Sequence, residues 1–257
     1  MNILSIDWDY FFPVPRKRPE AYMYDWGMQE AEFFTSADGI WTSRAASFIA
    51  VGMGLPTTSG EEESFWSKVL IRPSASLWVA DSHSALSDLV QRNGVENVEI
   101  WNFDAHHDGA YSKEACLLAE EGRISCDNWA YWARCLGVEV ATIYPKWRER
   151  NPESSSKFFS GLTFFDRVPQ VLFHEVFICR SGAWVPPWLD EKFVGFLKGA
   201  ATLARQTFCR LPFSGASWAW QERLGPEVVR EMNMGAVDEQ VKAMRRAQEQ
   251  VRGQRGG

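Results

Sequence analysis

The chain has 257 residues, of which 46% are hydrophobic and 23% are charged, and its formal net charge is −6. This composition predicts a globular protein with a sizeable core, and the acidic balance argues against a nucleic-acid partner, which would require a basic surface. The N-terminus lacks the basic and apolar regions of a signal peptide, and no apolar run of about 18 residues occurs. We therefore expect a cytoplasmic protein without a membrane span.

Five apolar segments rich in β-forming residues predict strands. They are Ile3–Phe11, Ser76–His83, Val98–His106, Val138–Tyr144 and Val176–Trp184. Segments with apolar residues three and four positions apart predict helices. These are Trp41–Met53, Glu61–Ile71, Ser84–Asn93, Lys113–Glu121, Cys126–Leu136 and Trp188–Gln206. The alternation of strands and helices predicts an α/β fold, a three-layer α/β/α sandwich with a mainly parallel sheet.

Other features of the chain bound its organisation. Phe12–Met28 and Arg148–Lys157 have the composition of loops, and Pro226–Arg252 has the pattern of a charged helix. We expect one domain over residues 1–225, followed by a charged C-terminal helix and a frayed tail over residues 226–257. The five cysteines are odd in number and include no Cys-x-x-Cys pair, which predicts reduced, mostly buried thiols.

Three of the predicted strands lead into acidic or histidine-containing clusters. In open parallel sheets, ligands bind at the carboxyl ends of the strands, so we expect these clusters to meet and the three strands to lie side by side or one apart. Asp7 and Asp9 are two apart on one strand and project to the same face, where a cation would compensate their charges. His83 at the second strand end is a weaker candidate, since a histidine at such a turn is more often structural.

The third cluster carries the strongest local signal. Asp104, His106 and Asp108 are spaced by two, so an extended backbone would put all three side chains on one side. Mixed carboxylate and imidazole donors suit manganese, iron or zinc. The sequence therefore predicts a carboxylate–histidine metal centre.

Three motifs resemble the arginase (ureohydrolase) superfamily. Asp104-Ala105-His106-His107-Asp108 matches its Asp-Ala-His-x-Asp signature, and Ser5-Ile6-Asp7-Trp8-Asp9 is similar to its Ser-x-Asp-x-Asp strand. Asp81-Ser82-His83-Ser84 resembles its Gly-Gly-Asp-His-Ser turn. The resemblance implies an arginase/deacetylase-like fold and a metallohydrolase domain over residues 1–225.

The resemblance also implies two metal ions held by six side chains, with Asp104 and Asp7 bridging both ions. The other four ligands form two pairs, which are His83 with Asp108 and His106 with Asp9. The ions would be Mn²⁺, with Zn²⁺ or Fe²⁺ as alternatives. A metal-bridged hydroxide would then hydrolyse a C–N bond of guanidino or amide type in a small polar substrate.

Two departures from the family leave questions open. In arginases the Asp-x-Asp strand follows the Asp-Ala-His-x-Asp strand, whereas here it comes first, as in a circularly permuted sheet. The family's later substrate-recognition residues have no counterpart here, so guanidinium specificity does not carry over to this chain. The oligomeric state is a separate question, and a homo-oligomer is compatible with the sequence. Candidates for further catalytic residues are Asp108, His107 and Asn128. Candidates for the pocket wall are Trp8, Asn102, Asp127, Trp129, Arg180 and Trp184.

Three other functions fit parts of the sequence. A mononuclear zinc deacylase would share the fold and use one Asp–His–Asp set. A phosphatase of the haloacid dehalogenase type would use Asp7 as nucleophile with Mg²⁺, but it leaves the Asp104–Asp108 cluster unexplained. A non-catalytic protein could keep the metals for a structural or regulatory purpose.

Overall fold

One sheet of seven strands organises the computed structural model. The model describes residues 1–13, 48, 50, 52–53, 55–96, 98–150, 163–164, 170–182, 184–206, 208–210, 239, 241–243, 245–246 and 249. The strands are β1 (Asn2–Asp7), β2 (Leu70–Ala80), β3 (Glu99–Phe103), β4 (Glu139–Tyr144), β5 (Thr163–Phe164), β6 (Leu172–Cys179) and β7 (Phe208–Arg210). Every pair of neighbouring strands in this sheet is parallel.

The strand order is β5-β4-β3-β1-β6-β2-β7. The first strand of the chain is therefore central, with β3 on one side and β6 on the other. This order confirms the expectation for the three strands that carry the clusters, because β1 and β3 are neighbours and β2 is one strand away. Their carboxyl ends consequently meet at the same edge of the sheet.

Helices cover both faces of the sheet. They are α1 (Glu62–Phe65), α2 (Leu86–Asn93), α3 (Lys113–Glu120), α4 (Trp129–Cys135) and α5 (Asp190–Ala204). On one face, Ile6 and Phe103 pack in a buried cluster with Phe193 of α5. On the other face, Ile3 packs in a second cluster with Leu89 of α2 and with residues of α4. The fold is thus the three-layer α/β arrangement with a parallel sheet that the sequence predicts.

Several predicted strands are shorter than expected at the site. The first ends at Asp7, and Trp8–Phe11 is a turn of 3₁₀ helix, since the Asp7 side chain accepts from the Asp9 amide. The third ends at Phe103 rather than at His106. The predicted strand Val176–Trp184 is shifted, because β6 begins at Leu172 and ends at Cys179.

Other boundaries also differ. The predicted helix Glu61–Ile71 is reduced to α1, because the chain from Leu70 onward pairs with β6 as part of β2. Of the predicted helix Trp41–Met53, the described residues Phe48 and Ala50 are helical. The loop Phe12–Met28 beyond residue 13 and most of Pro226–Arg252 lie outside the described residues. Among the described parts of the chain, no helix has the length and apolar character that crossing a membrane requires.

Candidate metal centre

The centre lies at the carboxyl edge of the sheet, where β1, β2 and β3 end. Asp7 is the last residue of β1, Asp104 directly follows β3, and His83 lies in the turn between β2 and α2. All three side chains are buried. The three sequence clusters therefore form one site, as the strand order requires.

The first group of side chains surrounds His83. Its Nδ1 atom lies 3.2 Å from an oxygen of Asp7, 3.3 Å from Asp104 Oδ2 and 3.2 Å from Asp108 Oδ2. Its other ring nitrogen, Nε2, lies 2.7 Å from the Ser5 hydroxyl. One nitrogen cannot donate a full hydrogen bond to three carboxylates. The three carboxylates and the His83 ring nitrogen therefore converge, as ligands of one metal ion would.

The second group surrounds His106. Its Nδ1 atom lies 2.8 Å from Asp9 Oδ2 and 3.7 Å from Asp104 Oδ1. Asp9 Oδ2 is buried and receives no hydrogen bond, so the close contact with His106 lacks hydrogen-bond geometry. A buried carboxylate oxygen without a donor is costly unless a cation compensates it. This atom fits the expectation of a metal ion between Asp9 and His106.

Asp104 connects the two groups. Its Oδ2 atom faces His83, and its Oδ1 atom faces His106. Oδ2 also accepts from the Asn102 side chain at 3.0 Å, which fixes the orientation of the carboxylate. Asp104 is therefore positioned to offer one oxygen to each group.

Three sets of donors lie close enough together to hold a metal ion. In each set the donor atoms lie within 4.8 Å of one another, and the sets are Asp9–Asp104–His106, His83–Asp104–Asp108 and Asp7–His83–Cys179. All six sequence-predicted ligands belong to these sets. The described residues therefore include buried aspartate and histidine clusters that could hold a metal ion.

Burial and mutual repulsion perturb the carboxylates. Burial raises the pKa of Asp9 to about 7, with the charge of Asp7 adding to the effect and that of His106 opposing it. Burial raises the pKa of Asp104 to about 7 as well, with the charges of Asp108 and Asp7 adding to it. Burial also raises the pKa of Asp108. The metal-free site thus carries more negative charge than its surroundings stabilise.

His83 offsets part of that charge. Burial acts to raise the pKa of Asp7, but the hydrogen bond and charge of His83 outweigh it and leave this pKa below its ordinary value. Burial opposes the charged form of His83, but the contacts of its Nδ1 atom with the carboxylates of Asp104, Asp108 and Asp7 raise its pKa well above the ordinary value. The three surrounding carboxylates therefore favour the positively charged form of His83.

Short turns, rather than an extended strand, bring the ligands together. Asp7 Oδ1 accepts from the Asp9 amide at 3.0 Å, and Asp104 Oδ1 accepts from the His106 amide at 2.7 Å. Asp108 has a left-handed backbone with φ of 49°. The expectation of an extended backbone from Asp104 to Asp108 is therefore wrong, because each aspartate closes a turn onto the residue two positions later.

Aromatic rings fix His83 from both sides. Its ring stacks on Trp129 with centroids 4.7 Å apart and on Phe177 with centroids 5.6 Å apart. Trp129 Nε1 also donates to Asp108 Oδ2 at 2.7 Å. Trp129, a candidate for the pocket wall, thus contacts two predicted ligands at once.

The two remaining catalytic candidates, His107 and Asn128, are engaged with nearby loops. His107 Nδ1 accepts from the Gly109 amide, and its ring stacks on Tyr111. The Asn128 amide group donates to the carbonyls of Ala115 and Arg123, and its oxygen accepts from the Ser125 amide. These contacts give both residues a part in shaping the loop before α4. Asp127 lies in the same loop, where its carboxylate accepts from the Ser125 hydroxyl.

Two other pocket candidates belong to the protein core. Trp8 is fully buried, and its ring packs against Phe193 and Phe196 of α5. Arg180 is also fully buried, and its guanidinium forms an ion pair with Asp190. Trp184, like Trp129 and Asn102, does reach the centre, because its ring centroid lies 5.7 Å from that of His106.

Three neighbours of the centre were not predicted from the sequence. Cys179 ends β6 beside Asp7, and the Ser181 hydroxyl donates to Asp7. Arg148 is buried, and its Nε donates to the carbonyl of Ala105 at 2.7 Å, within the Asp104–Asp108 segment. The position of Cys179 at the end of a parallel strand could have identified it. The predicted strand ran on to Trp184, so Cys179 fell within the predicted strand and not at its end.

Comparison of the chain with protein-family models, curated proteins and solved structures gave no match. A fold alone does not determine a function, so the function must be inferred from the chemistry of the site.

Proposed function

We propose that the chain is an arginase-like, binuclear metal-dependent hydrolase that cleaves a C–N bond of guanidino or amide type in a small polar substrate. The observation that carries this proposal is the orientation of Asp104, whose two oxygens face two different groups of donors. A carboxylate shared in this way is typical of a bridging ligand between two metal ions.

Charge balance supports two ions rather than one. Asp7, Asp9, Asp104 and Asp108 bring four carboxylates into a buried volume, and two divalent cations would neutralise them. A mononuclear deacylase site at His83 would leave the Asp9 carboxylate, which receives no hydrogen bond at Oδ2, without a metal ion. Mn²⁺ suits the oxygen-rich donor set, with Zn²⁺ or Fe²⁺ as alternatives.

The strand neighbours support the arginase-like assignment despite the altered chain order. The Asp-x-Asp strand β1 pairs directly with β3, which leads into the Asp-Ala-His-x-Asp motif. A metal ion is bound by the spatial arrangement of its ligands, so a permuted order of the motifs leaves such a centre intact. Asp7 and Asp9 consequently share one site with Asp104 and His106, although they precede them by almost a hundred residues.

The chemistry follows from the site. Two divalent ions would lower the pKa of a water molecule towards neutrality and stabilise the negative charge that develops on a trigonal carbon group under attack. The His106 side chain is 12% exposed, whereas that of its partner Asp9 is 3% exposed. Substrate would therefore approach beside His106 and the neighbouring Trp184. Trp129 and Phe177 exclude water from the His83 side. Because four carboxylates would neutralise the two ions and the chain has a net charge of −6, we expect a neutral or cationic substrate.

Metal content tests the centre itself. Asp104→Ala should abolish binding of both metal ions, whereas His83→Ala should mainly weaken one, and elemental analysis after dialysis measures the metal content per chain. His174→Ala is a matched control, since His174 lies at the start of β6 and contacts Asn2. Equal metal content in the wild-type protein and Asp104→Ala would refute the proposed centre.

Product release tests the reaction. The metal-loaded protein would be incubated with guanidino, ureido and acylamino compounds, with and without Mn²⁺, and urea, ammonia or free amine would be measured. Asp104→Ala should release none of these products. Turnover of phosphate esters alone would replace the proposal with the phosphatase function. Metal binding without turnover of any compound would favour a non-catalytic metal protein.

A further inference from the structure

Cys179 lies beside the His83 group of the centre. It ends β6, which is paired with β1 on one side and β2 on the other, and it is aligned with Asp7 and Ala80. Its side chain is 1% exposed and packs with Phe177 and Trp129 on the same face of the sheet as His83. The thiol is therefore held inside the site.

The distances bring its sulfur within reach of a metal ion. Cys179 Sγ, an oxygen of Asp7 and a nitrogen of His83 all lie within 4.8 Å of one another, and His83 Nδ1 is already 3.2 Å from Asp7 Oδ2. With Zn–S bonds of about 2.3 Å and Zn–O or Zn–N bonds of about 2.1 Å, ligand atoms on a tetrahedral zinc lie about 3.4–3.6 Å apart. A small movement of the Cys179 side chain would bring its sulfur from within 4.8 Å of the other two donor atoms to the separation that a shared zinc ion requires.

The two halves of the centre differ in their donors. The Asp9–Asp104–His106 and His83–Asp104–Asp108 sets contain carboxylate and imidazole donors, whereas the Asp7–His83–Cys179 set includes a sulfur. Thiolate ligands favour zinc and other thiophilic ions, whereas carboxylates suit manganese. Asp9 Oδ2, buried and without a donor, is independent evidence that a cation belongs in this centre.

We propose that Cys179 is a thiolate ligand of the metal ion at His83, and that it makes this half of the centre select Zn²⁺ over Mn²⁺. The inference rests on the proposed metal centre and deepens it by making the two sites chemically unequal. On binding, the thiol proton, which now points to the Asp81 carbonyl at 3.4 Å, is released to solvent, and the sulfur lone pair forms the bond to the metal.

Cobalt substitution tests the bond directly, because a thiolate on Co²⁺ produces a near-ultraviolet charge-transfer band in addition to the visible bands of the ion. The wild-type protein loaded with Co²⁺ should show this band, and Cys179→Ser should lose it while keeping visible bands. Cys116→Ser is the matched control and should retain the band, because Cys116 is a buried free thiol that packs with Ala110 and Ala115 instead. Zn²⁺ affinity at one site should fall at least tenfold in Cys179→Ser, with Mn²⁺ affinity at the other site retained.

X-ray absorption at the zinc edge supplies a measurement on the unaltered protein, in case Cys179→Ser fails to fold. A sulfur neighbour at about 2.3 Å is expected. Visible Co²⁺ bands without the charge-transfer band, or zinc without a sulfur neighbour, would overturn the assignment of Cys179 and leave the metal centre standing. Failure of the wild-type protein to bind Co²⁺ or Zn²⁺ at all would overturn both proposals.

Discussion

Trp129→Phe isolates one contact of the proposed centre. Trp129 Nε1 donates to Asp108 Oδ2 at 2.7 Å, while its ring stacks on His83. Phenylalanine keeps an aromatic ring at this position and removes the donor. A hydrogen bond to a charged group contributes about 1.5–3 kcal/mol, and about 1.4 kcal/mol corresponds to a tenfold change in affinity. We therefore expect metal affinity at the His83–Asp108 group to fall roughly 10–100-fold.

The assay is a competition titration of the metal against a chelating dye, with Trp132→Phe as the matched control. Trp132 lies on the same helix, one turn further along, and is also buried, but its side chain makes no hydrogen bond among the described residues. Both substitutions remove packing volume and should lower the free energy of unfolding. Only Trp129→Phe should lower metal affinity, so equal affinities in the two variants would refute the reasoning that Asp108 is a ligand oriented by Trp129.

Two other tests address packing and pH. A Cβ atom at Gly199 would lie 2.5 Å from Trp66 Cδ1, so Gly199→Ala should lower the free energy of unfolding by about 1–3 kcal/mol in denaturant titrations. Gly195→Ala, on the same helix with open space around it, should instead raise this free energy by about 0.5–1 kcal/mol, and the opposite order would contradict the packing of α5 on Trp66. Burial raises the pKa of Asp9 and Asp104 from 3.8 to about 7. Between these pH values the folded protein without metal keeps protons that the unfolded chain has released. Its free energy of unfolding should therefore fall as the pH rises from about 4 to about 7. Saturating metal should remove this fall, and parallel melting-temperature profiles with and without metal would contradict it.

The fold class and the convergence of the three donor clusters could be predicted from the sequence because their signals are local. Apolar runs separated by amphipathic segments predict a parallel sheet, and donors at the ends of β1, β2 and β3 must meet when those strands are parallel. The central position of β1 between β3 and β6 depends on long-range pairing. No local sequence pattern specifies the strand order. The similar donor residues at three strand ends predicted only that these strands lie close together.

The details of the site were less accessible. The turns at Asp7 and Asp104 depend on hydrogen bonds that backbone amides donate to the aspartate side chains. A spacing of two residues between donors is equally compatible with an extended strand, so the sequence pattern did not distinguish the two conformations. Trp8 and Trp129 both stand beside predicted ligand segments in the sequence, yet one belongs to the core and the other to the centre. The strand ends at Asp7, and the 3₁₀ turn that follows directs Trp8 towards α5.

The insertion of β6 between β1 and β2 has a consequence for biosynthesis. His83 is carried by the end of β2, and β2 reaches β1 only through β6, whose last residue is Cys179. On the ribosome, Asp7, His83 and Asp104 all emerge well before β6 does, so the nascent chain holds these proposed ligands but lacks the strand that sets their separation. We expect intermediates without β6 to bind metal poorly, which delays metal capture until most of the domain is synthesised and makes the ion stabilise the finished sheet in preference to its precursors.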